Sequence, residues 1–116
     1  MKLSETQLEQ IDDIAQRAAD AARDVILPYF RADDLQQDNK SDTDFDPVTQ
    51  ADRSAELAIR AILKEACPQD AILGEEFGAQ DGSSGLTWVL DPIDGTRAFV
   101  SGTPTWGVLI AVSNAQ

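Results

Sequence analysis

The chain has 116 residues, with 21 acidic and 9 basic side chains, no histidine and one cysteine. Its length and 42% hydrophobic content suffice for one small domain, and its net charge of −12 argues against nucleic acid or anionic membrane surfaces as partners. The lack of histidine excludes a Ser-His-Asp triad and most zinc sites, so acid or base chemistry must use carboxylates or metal-bound water.

The first thirty residues have the spacing of an amphipathic helix. Apolar residues recur every three or four positions from Leu8 to Tyr29, and Ser4 with Gln7 matches a capping box. We predict a helix from residue 5 to about residue 30, with a kinked or tightened end at Pro28. The segment lacks the uninterrupted apolar stretch of a secretory signal or membrane span, and Cys67 has no partner for a disulfide, so we expect a cytoplasmic protein.

A polar segment separates this helix from a second one. Residues 32–46 are rich in Asp, Asn, Gln and Ser, which is typical of a loop or a short exposed strand. Thr49 followed by Asp52 is a helix-start pattern, and apolar residues continue at helical spacing until Pro68. We therefore predict a second helix over about residues 50–66.

Three apolar stretches after the second helix predict strands. They cover residues 71–73, 86–90 and 105–112, and residues 79–85, which are rich in Gly and Ser, predict a turn. The last stretch is apolar throughout, which is typical of a strand that is covered on both faces.

The middle strand ends in two acidic residues. Pro92 cannot donate a ladder hydrogen bond, so we predict that the strand stops at Asp91 and that the following turn lets Asp91 and Asp94 converge. Convergent carboxylates suit Mg²⁺, and the carbonyl of Ile93 is a candidate further ligand. Glu75 also follows a strand, and its carboxylate would lie beside Asp91 if the two strands share a sheet. Each acid alone is more often a solvated surface group, but three acids in this arrangement favour a metal site.

A backbone suited to phosphate follows these carboxylates. Gly95 tolerates close approach of a ligand to the main chain, and a helix that begins near Thr96 would present free N–H groups to an anion. The sequence therefore predicts that metal and phosphate meet at the end of this strand.

Three segments carry a family resemblance. They resemble, in order and spacing, the motifs of the Mg²⁺-dependent inositol monophosphatase family: Asp46-Pro47-Val48-Thr49-Gln50-Ala51-Asp52, Gly74-Glu75-Glu76 and Asp91-Pro92-Ile93-Asp94-Gly95-Thr96. The stretch from Asp91 to Gly107 is most similar to the histidinol-phosphatase branch. The resemblance runs from about Lys40 to Val112 and implies the first half of an α+β fold, with two helices packed on a mainly antiparallel sheet of four or five strands.

The resemblance also implies a site with two Mg²⁺ ions. It assigns Glu75, Asp91 and the carbonyl of Ile93 to one ion, and it makes Asp91 bridge to a second ion that Asp94 also binds. Two ions held in this way activate water and steady the leaving oxygen of a phosphate ester.

Further residues follow from the same resemblance. It pairs Asp52 with the Thr96 hydroxyl to orient the attacking water, although a place in the first turn of the second helix would explain Asp52 equally well through the helix dipole. It matches Lys40 to a lysine near the metal-bound water or the phosphate, and it gives Gly95 and Thr96 N–H groups to the phosphate. Glu76 is expected to support the turn rather than to bind metal.

These expectations describe a phosphate monoester hydrolase with Mg²⁺ as cofactor and a small-molecule substrate, histidinol phosphate first and inositol monophosphate next. The family takes a further aspartate from a Trp-Asp segment, and neither Trp88 nor Trp106 is followed by aspartate. We therefore expect an N-terminal fragment with little activity of its own. The alternative is a truncated, non-catalytic domain that folds, binds Mg²⁺ weakly and forms a homodimer or larger oligomer.

Overall fold

The structure is a computed structural model that describes residues 2–30, 47–95, 99, 102 and 107–114, with side chains in the second range from residue 50 onward. Its elements are, in chain order, α1 (Glu5–Ile26), a short 3₁₀ turn (Leu27–Tyr29), α2 (Pro47–Ala66), β1 (Ala71–Gly74), β2 (Gly78–Gln80), β3 (Thr87–Asp94) and β4 (Gly107–Ser113). The polar segment predicted over residues 32–46 lies outside the described residues. In the ranges that are described, no helix is long and apolar enough to cross a membrane.

Helix α1 follows the sequence prediction closely. The Ser4 hydroxyl accepts a hydrogen bond from the Gln7 N–H at 3.1 Å, and the Gln7 side chain accepts from the Ser4 N–H at 2.8 Å. This reciprocal pair is the predicted capping box. The predicted tightening at Pro28 is also present, because the α-helix gives way to the 3₁₀ turn there. The buried stripe of α1 faces α2 and consists of small and aliphatic residues: Ala18, Ala22 and Ile26.

Helix α2 begins at Pro47, three residues before the predicted start, and ends at Ala66 as predicted. A proline at the first helical position costs no hydrogen bond, because the N–H it lacks has no partner within the helix. The buried face of α2 repeats every four residues and packs against α1 and the sheet: Ala51, Ala55, Ile59 and Leu63.

The four strands form one mixed sheet in the order β2-β1-β3-β4. Strand β1 is antiparallel to β2 and parallel to β3, and β3 is antiparallel to β4. Two of the three pairings are therefore antiparallel, and the expected α+β arrangement of two helices on a sheet is confirmed. The turn predicted over residues 79–85 begins later than expected, because Gly78 adopts φ 75° and returns the chain to pair Ala79 with Leu73.

Strand β3 does not stop at Asp91, and that prediction was wrong. The strand continues to Asp94. Its register with β4 shifts on the way, since Asp91 pairs with Leu109 and Asp94 with Gly107. One extra residue on β3 is the pattern of a β-bulge, and Pro92 lies within it, where its missing N–H interrupts no regular ladder.

Strand β4 is covered on one face only, which corrects the expectation of two covered faces. Val108, Ile110 and Val112 are partly buried against the core, whereas Leu109 and Ala111 are exposed among the described residues. The difference arises because α1 and α2 pack on the same side of the sheet. The predicted first residues of this strand, 105 and 106, lie outside the described ranges.

Candidate metal and phosphate site

The parallel pairing of β1 and β3 brings two acidic residues together. Gly74 lies opposite Leu90, so the residues that follow, Glu75 and Asp91, leave the two strands at the same level. The N–H of Glu75 donates to the carbonyl of Leu90 at 3.3 Å, which extends the pairing to the acid itself. The two strands thus share a sheet. This was the condition on which Glu75 was expected to lie beside Asp91.

The two carboxyl groups interact directly. Asp91, by hydrogen bonding and by its charge, is the main cause that raises the pKa of Glu75 above its ordinary value, and burial and the charges of Glu76 and Glu56 add to the effect. Oxygen Oδ1 of Asp91 is buried and has no hydrogen-bond partner in the part of the chain that the structure describes. A buried, unpartnered carboxylate oxygen beside a second carboxylate is costly unless a cation or a proton lies between them. This donor set fits Mg²⁺, which prefers oxygen ligands.

Asp52 lies close to this pair from the side of α2. Its pKa is raised to about 7, first by burial and then by the charges of Glu76, Glu75 and Asp91, while a hydrogen bond with the backbone of Ile93 lowers it. Because α2 begins at Pro47, Asp52 is the sixth residue of the helix rather than a member of its first turn. The helix dipole acts within the first turn, so the capping explanation of Asp52 was wrong.

The remaining predicted residues lie along the end of β3. The side chain of Ile93 is buried in the core, Asp94 is exposed, and Gly95 adopts φ 90°, a conformation that favours glycine. The N–H of Phe99 donates to the carbonyl of Gly95 at 3.0 Å, which is the spacing of a helical hydrogen bond. Lys40 and Thr96 lie outside the described residues.

The described residues provide a pair of carboxylates with a third acid nearby, and not a complete metal centre. In residues 2–30, 47–95 and 107–114, no group of three or more His, Cys, Asp or Glu side chains could hold a metal ion. Asp94 is the last residue of β3, and its side chain is exposed. The structure therefore brings together Glu75, Asp91 and Asp52, and it places Asp94 at the exposed end of the same strand.

One residue near the site was missed by the sequence analysis. Glu56 is completely buried, and its carboxylate accepts hydrogen bonds from the N–H groups of Glu76 and Phe77, next to Glu75. The signal was present, because Glu56 follows Asp52 by four residues and so shares its helix face. A charged residue on a face that continues into a buried stripe indicates a specific partner.

Comparison with known proteins decides the family. The model of the inositol monophosphatase family matches residues 7–116 of this chain. The chain belongs to the inositol monophosphatase family. The resemblance seen in the three sequence motifs is thereby confirmed, and so is the α+β fold that it implied.

Individual members of the inositol monophosphatase family show how much of the fold is covered. A histidinol-phosphatase of Streptomyces coelicolor is 43% identical over 110 residues, which are 93% of this chain and 40% of that protein. A protein named Nus factor SuhB of Pasteurella multocida is 44% identical over 102 residues, or 86% of this chain and 38% of that protein. The structure of an inositol monophosphatase from Zymomonas mobilis superposes with a TM-score of 0.74 at 43% identity, covering 97% of this chain and 41% of that one.

The chain thus spans about 40% of the length of the relatives it matches. The family is named for a monophosphatase activity, and the Streptomyces coelicolor relative is named a histidinol-phosphatase.

Proposed function

We propose that this chain provides the metal-binding and phosphate-binding part of a Mg²⁺-dependent phosphate monoester hydrolase. The observation that carries the proposal is the buried, unpartnered Oδ1 of Asp91 beside the carboxyl group of Glu75. A phosphatase family supplies the reason for such a pair, because a cation there would meet the oxygens of a phosphate ester.

Three residues of this chain would hold the first Mg²⁺: Glu75, Asp91 and Ile93, the last through its carbonyl. Asp94 would join Asp91 in holding a second ion. When bound, Mg²⁺ activates water and offsets the negative charge of the transferring phosphoryl group.

The chain's own residues would orient and hold the other reactants. The Asp52 carboxyl is anchored by a hydrogen bond with the backbone of Ile93, and its oxygens can accept a hydrogen bond from a water molecule. With the Thr96 hydroxyl it would orient the attacking water. The N–H groups of Gly95 and Thr96 would bind the phosphate, as would Lys40.

The substrate proposed first is histidinol phosphate, and inositol monophosphate comes next. Two observations support histidinol phosphate: the sequence from Asp91 to Gly107 and the 43% identity to the Streptomyces coelicolor histidinol-phosphatase. The Zymomonas mobilis inositol monophosphatase, also at 43% identity, supports inositol monophosphate. Rates measured on both esters would rank them.

The test uses a chimera in which this chain replaces the matched portion of the Streptomyces coelicolor histidinol-phosphatase. We expect phosphate release from histidinol phosphate that requires Mg²⁺. Asp91→Asn should lower this rate by about a hundredfold, since a site that loses one of its few charged ligands binds the metal poorly. Asp81→Asn, an exposed acid in the turn before β3, is the control and should leave the rate unchanged. Mg²⁺-dependent release that persists in Asp91→Asn would show that the site is assigned wrongly.

A second candidate is a non-catalytic domain that self-associates and binds Mg²⁺ weakly. The outer face of the sheet favours it, because Leu73, Val89 and Leu109 are exposed there. A phosphate-release assay with and without Mg²⁺ on the 116-residue chain separates the two candidates. We expect little turnover from this chain alone together with a homodimer or larger oligomer in sedimentation, and robust turnover by a monomer would exclude the second candidate.

A further inference from the structure

The turn between β1 and β2 is held by a buried carboxylate from α2. Glu56 has no exposed surface. Its Oε1 accepts from the N–H of Glu76 at 3.0 Å, and its Oε2 accepts from the N–H of Phe77 at 2.9 Å. Hydrogen bonds from backbone N–H groups to a charged carboxylate are among the stronger ones in proteins. The turn is therefore attached to the helix, and not only to its own strands.

Arg60, one helical turn further along α2, completes the attachment. Its Nε donates to Oε2 of Glu56 at 3.0 Å, and its terminal nitrogen donates to the carbonyl of Gly78 at 2.6 Å. Its guanidinium group also lies 6.0 Å from the centre of the Phe77 ring. Within residues 76–78, Glu56 thus accepts from two N–H groups and Arg60 donates to one carbonyl group. Arg60 also neutralises the buried charge of Glu56.

Gly74 shows how closely the carboxylate approaches the strand. A Cβ atom at Gly74 would collide with one carboxylate oxygen of Glu56 and would lie 2.7 Å from the other. Such a close approach leaves no room for any side chain, so glycine is required at this position while Glu56 keeps its place. Gly74 directly precedes Glu75, so the backbone on the other side of that acid packs closely against the same carboxylate.

We propose that Glu56, supported by Arg60, is a positioning residue that holds Glu75 beside Asp91. The backbone before Glu75 packs at Gly74 against the Glu56 carboxylate, and the backbone after it is hydrogen-bonded to the same carboxylate through the N–H groups of Glu76 and Phe77. Its own N–H is bound to the carbonyl of Leu90. The side chain of Glu75 is left to face Asp91. The expected effect of Glu56 on Mg²⁺ affinity rests on the proposed Mg²⁺ site. Its effect on the position of Glu75 is independent of that site.

The test compares Glu56→Gln with Glu65→Gln in the 116-residue chain. The first substitution keeps the shape of the side chain but removes its charge. Glu65 is an exposed acid of the same helix that pairs with Arg17 at 3.8 Å. We expect the amides of Glu76 and Phe77 to exchange with solvent about tenfold faster in Glu56→Gln, while amides of α1 are unchanged, because a lost charged hydrogen bond opens this turn locally. Nuclear Overhauser contacts between the side chains of Glu75 and Asp91 should weaken in the same variant. Glu65→Gln should change neither.

A Mg²⁺ titration by calorimetry separates this inference from the proposed function. If the parent chain binds Mg²⁺, Glu56→Gln should bind it about five to ten times more weakly, since a mispositioned ligand costs affinity. If the parent chain binds none, the proposed metal site fails, and the exchange and Overhauser data alone decide on the position of Glu75. Unchanged exchange at residues 76 and 77, or unchanged contacts between Glu75 and Asp91, would overturn the inference. Should Glu56→Gln fail to fold, Arg60→Lys provides the milder test, with the same effects expected at smaller size.

Discussion

The two ends of the β1–β3 pair carry buried carboxylates in opposite situations. At the end where these strands begin, the Asp70 carboxylate accepts from the indole N–H of Trp88 at 2.9 Å and, through its other oxygen, from the Ser84 hydroxyl. At the end where β1 stops and β3 reaches its bulge, Oδ1 of Asp91 is buried without a hydrogen-bond partner among the described residues.

The difference teaches how to separate a structural acid from a functional one in this fold. Asp70 has a donor for each oxygen, so its burial is compensated within the chain. Asp91 faces a second carboxylate, Glu75, and no donor among the described residues compensates the burial of its Oδ1. A comparison of substitutions at the two ends therefore tests the whole interpretation.

The largest effect on stability is expected at the Asp70 end. Asp70→Ala removes the acceptor of the Trp88 indole and of Ser84 and leaves both donors unsatisfied inside the protein. We expect the free energy of unfolding to fall by about 2–3 kcal/mol, which is the cost of a lost hydrogen bond to a charged group together with unpaired buried donors. Chemical denaturation followed by circular dichroism measures it, with Asp81→Ala as the exposed control. A loss equal to that of the control would contradict the structural role of Asp70.

The Asp91 end should respond in the opposite way. Without metal, Asp91→Asn removes one of two facing carboxylates, so the free energy of unfolding should stay equal or rise by up to about 1 kcal/mol. With Mg²⁺ at ten times its dissociation constant, the parent chain should gain about 1.4 kcal/mol and Asp91→Asn should gain none. Thermal unfolding with and without Mg²⁺ measures both effects. If Asp91→Asn without Mg²⁺ lowered the free energy of unfolding as much as Asp70→Ala does, the two ends would not differ in the way described.

The same strands also differ between their two faces. Trp88 and Leu90 point into the core under the helices, whereas Val89 on β3 and Leu109 on β4 are exposed. If copies of the chain associate through this outer face, Leu109→Gln should weaken self-association by about tenfold, because one leucine side chain leaves the buried area. Leu57→Gln, on the exposed side of α2 at the same 53% exposure, is the matched control. Equal sedimentation behaviour of the two variants would place the contact elsewhere.

Local signals in the sequence predicted the local features well. The capping box of Ser4 and Gln7 needs only its own turn, and it is present with both hydrogen bonds. The start of α2 was misplaced because Thr49 resembles a cap, whereas Pro47 at the first helical position decides the boundary. That shift of three residues removed the dipole explanation of Asp52, so a small error in a helix boundary changed the interpretation of a site residue.

Features that depend on pairing between distant segments could not be predicted in the same way. Pro92 suggests the end of a strand when β3 is considered alone, but β4 pairs across it and the irregularity is absorbed as a bulge. The place of Glu75 beside Asp91 depends on the parallel alignment of β1 and β3, which hydrophobic alternation does not specify. Glu56 was missed because a search for apolar spacing ignores a charged residue on a buried helix face, although that residue binds the turn beside Glu75.

The smallest expected effect concerns Cys67, which lies next to the structural carboxylate. Burial, followed by the charge of Asp70 and a hydrogen bond with it, raises the pKa of the Cys67 thiol to about 12. The reactive thiolate is therefore scarce near pH 8, and iodoacetamide should modify the folded chain at least about tenfold more slowly than the unfolded chain. Asp70→Asn removes one of the causes and should accelerate the reaction of the folded chain by a few-fold, whereas Asp91→Asn should not. Equal acceleration by both variants would mean that overall loosening, and not the Asp70 charge, controls the thiol.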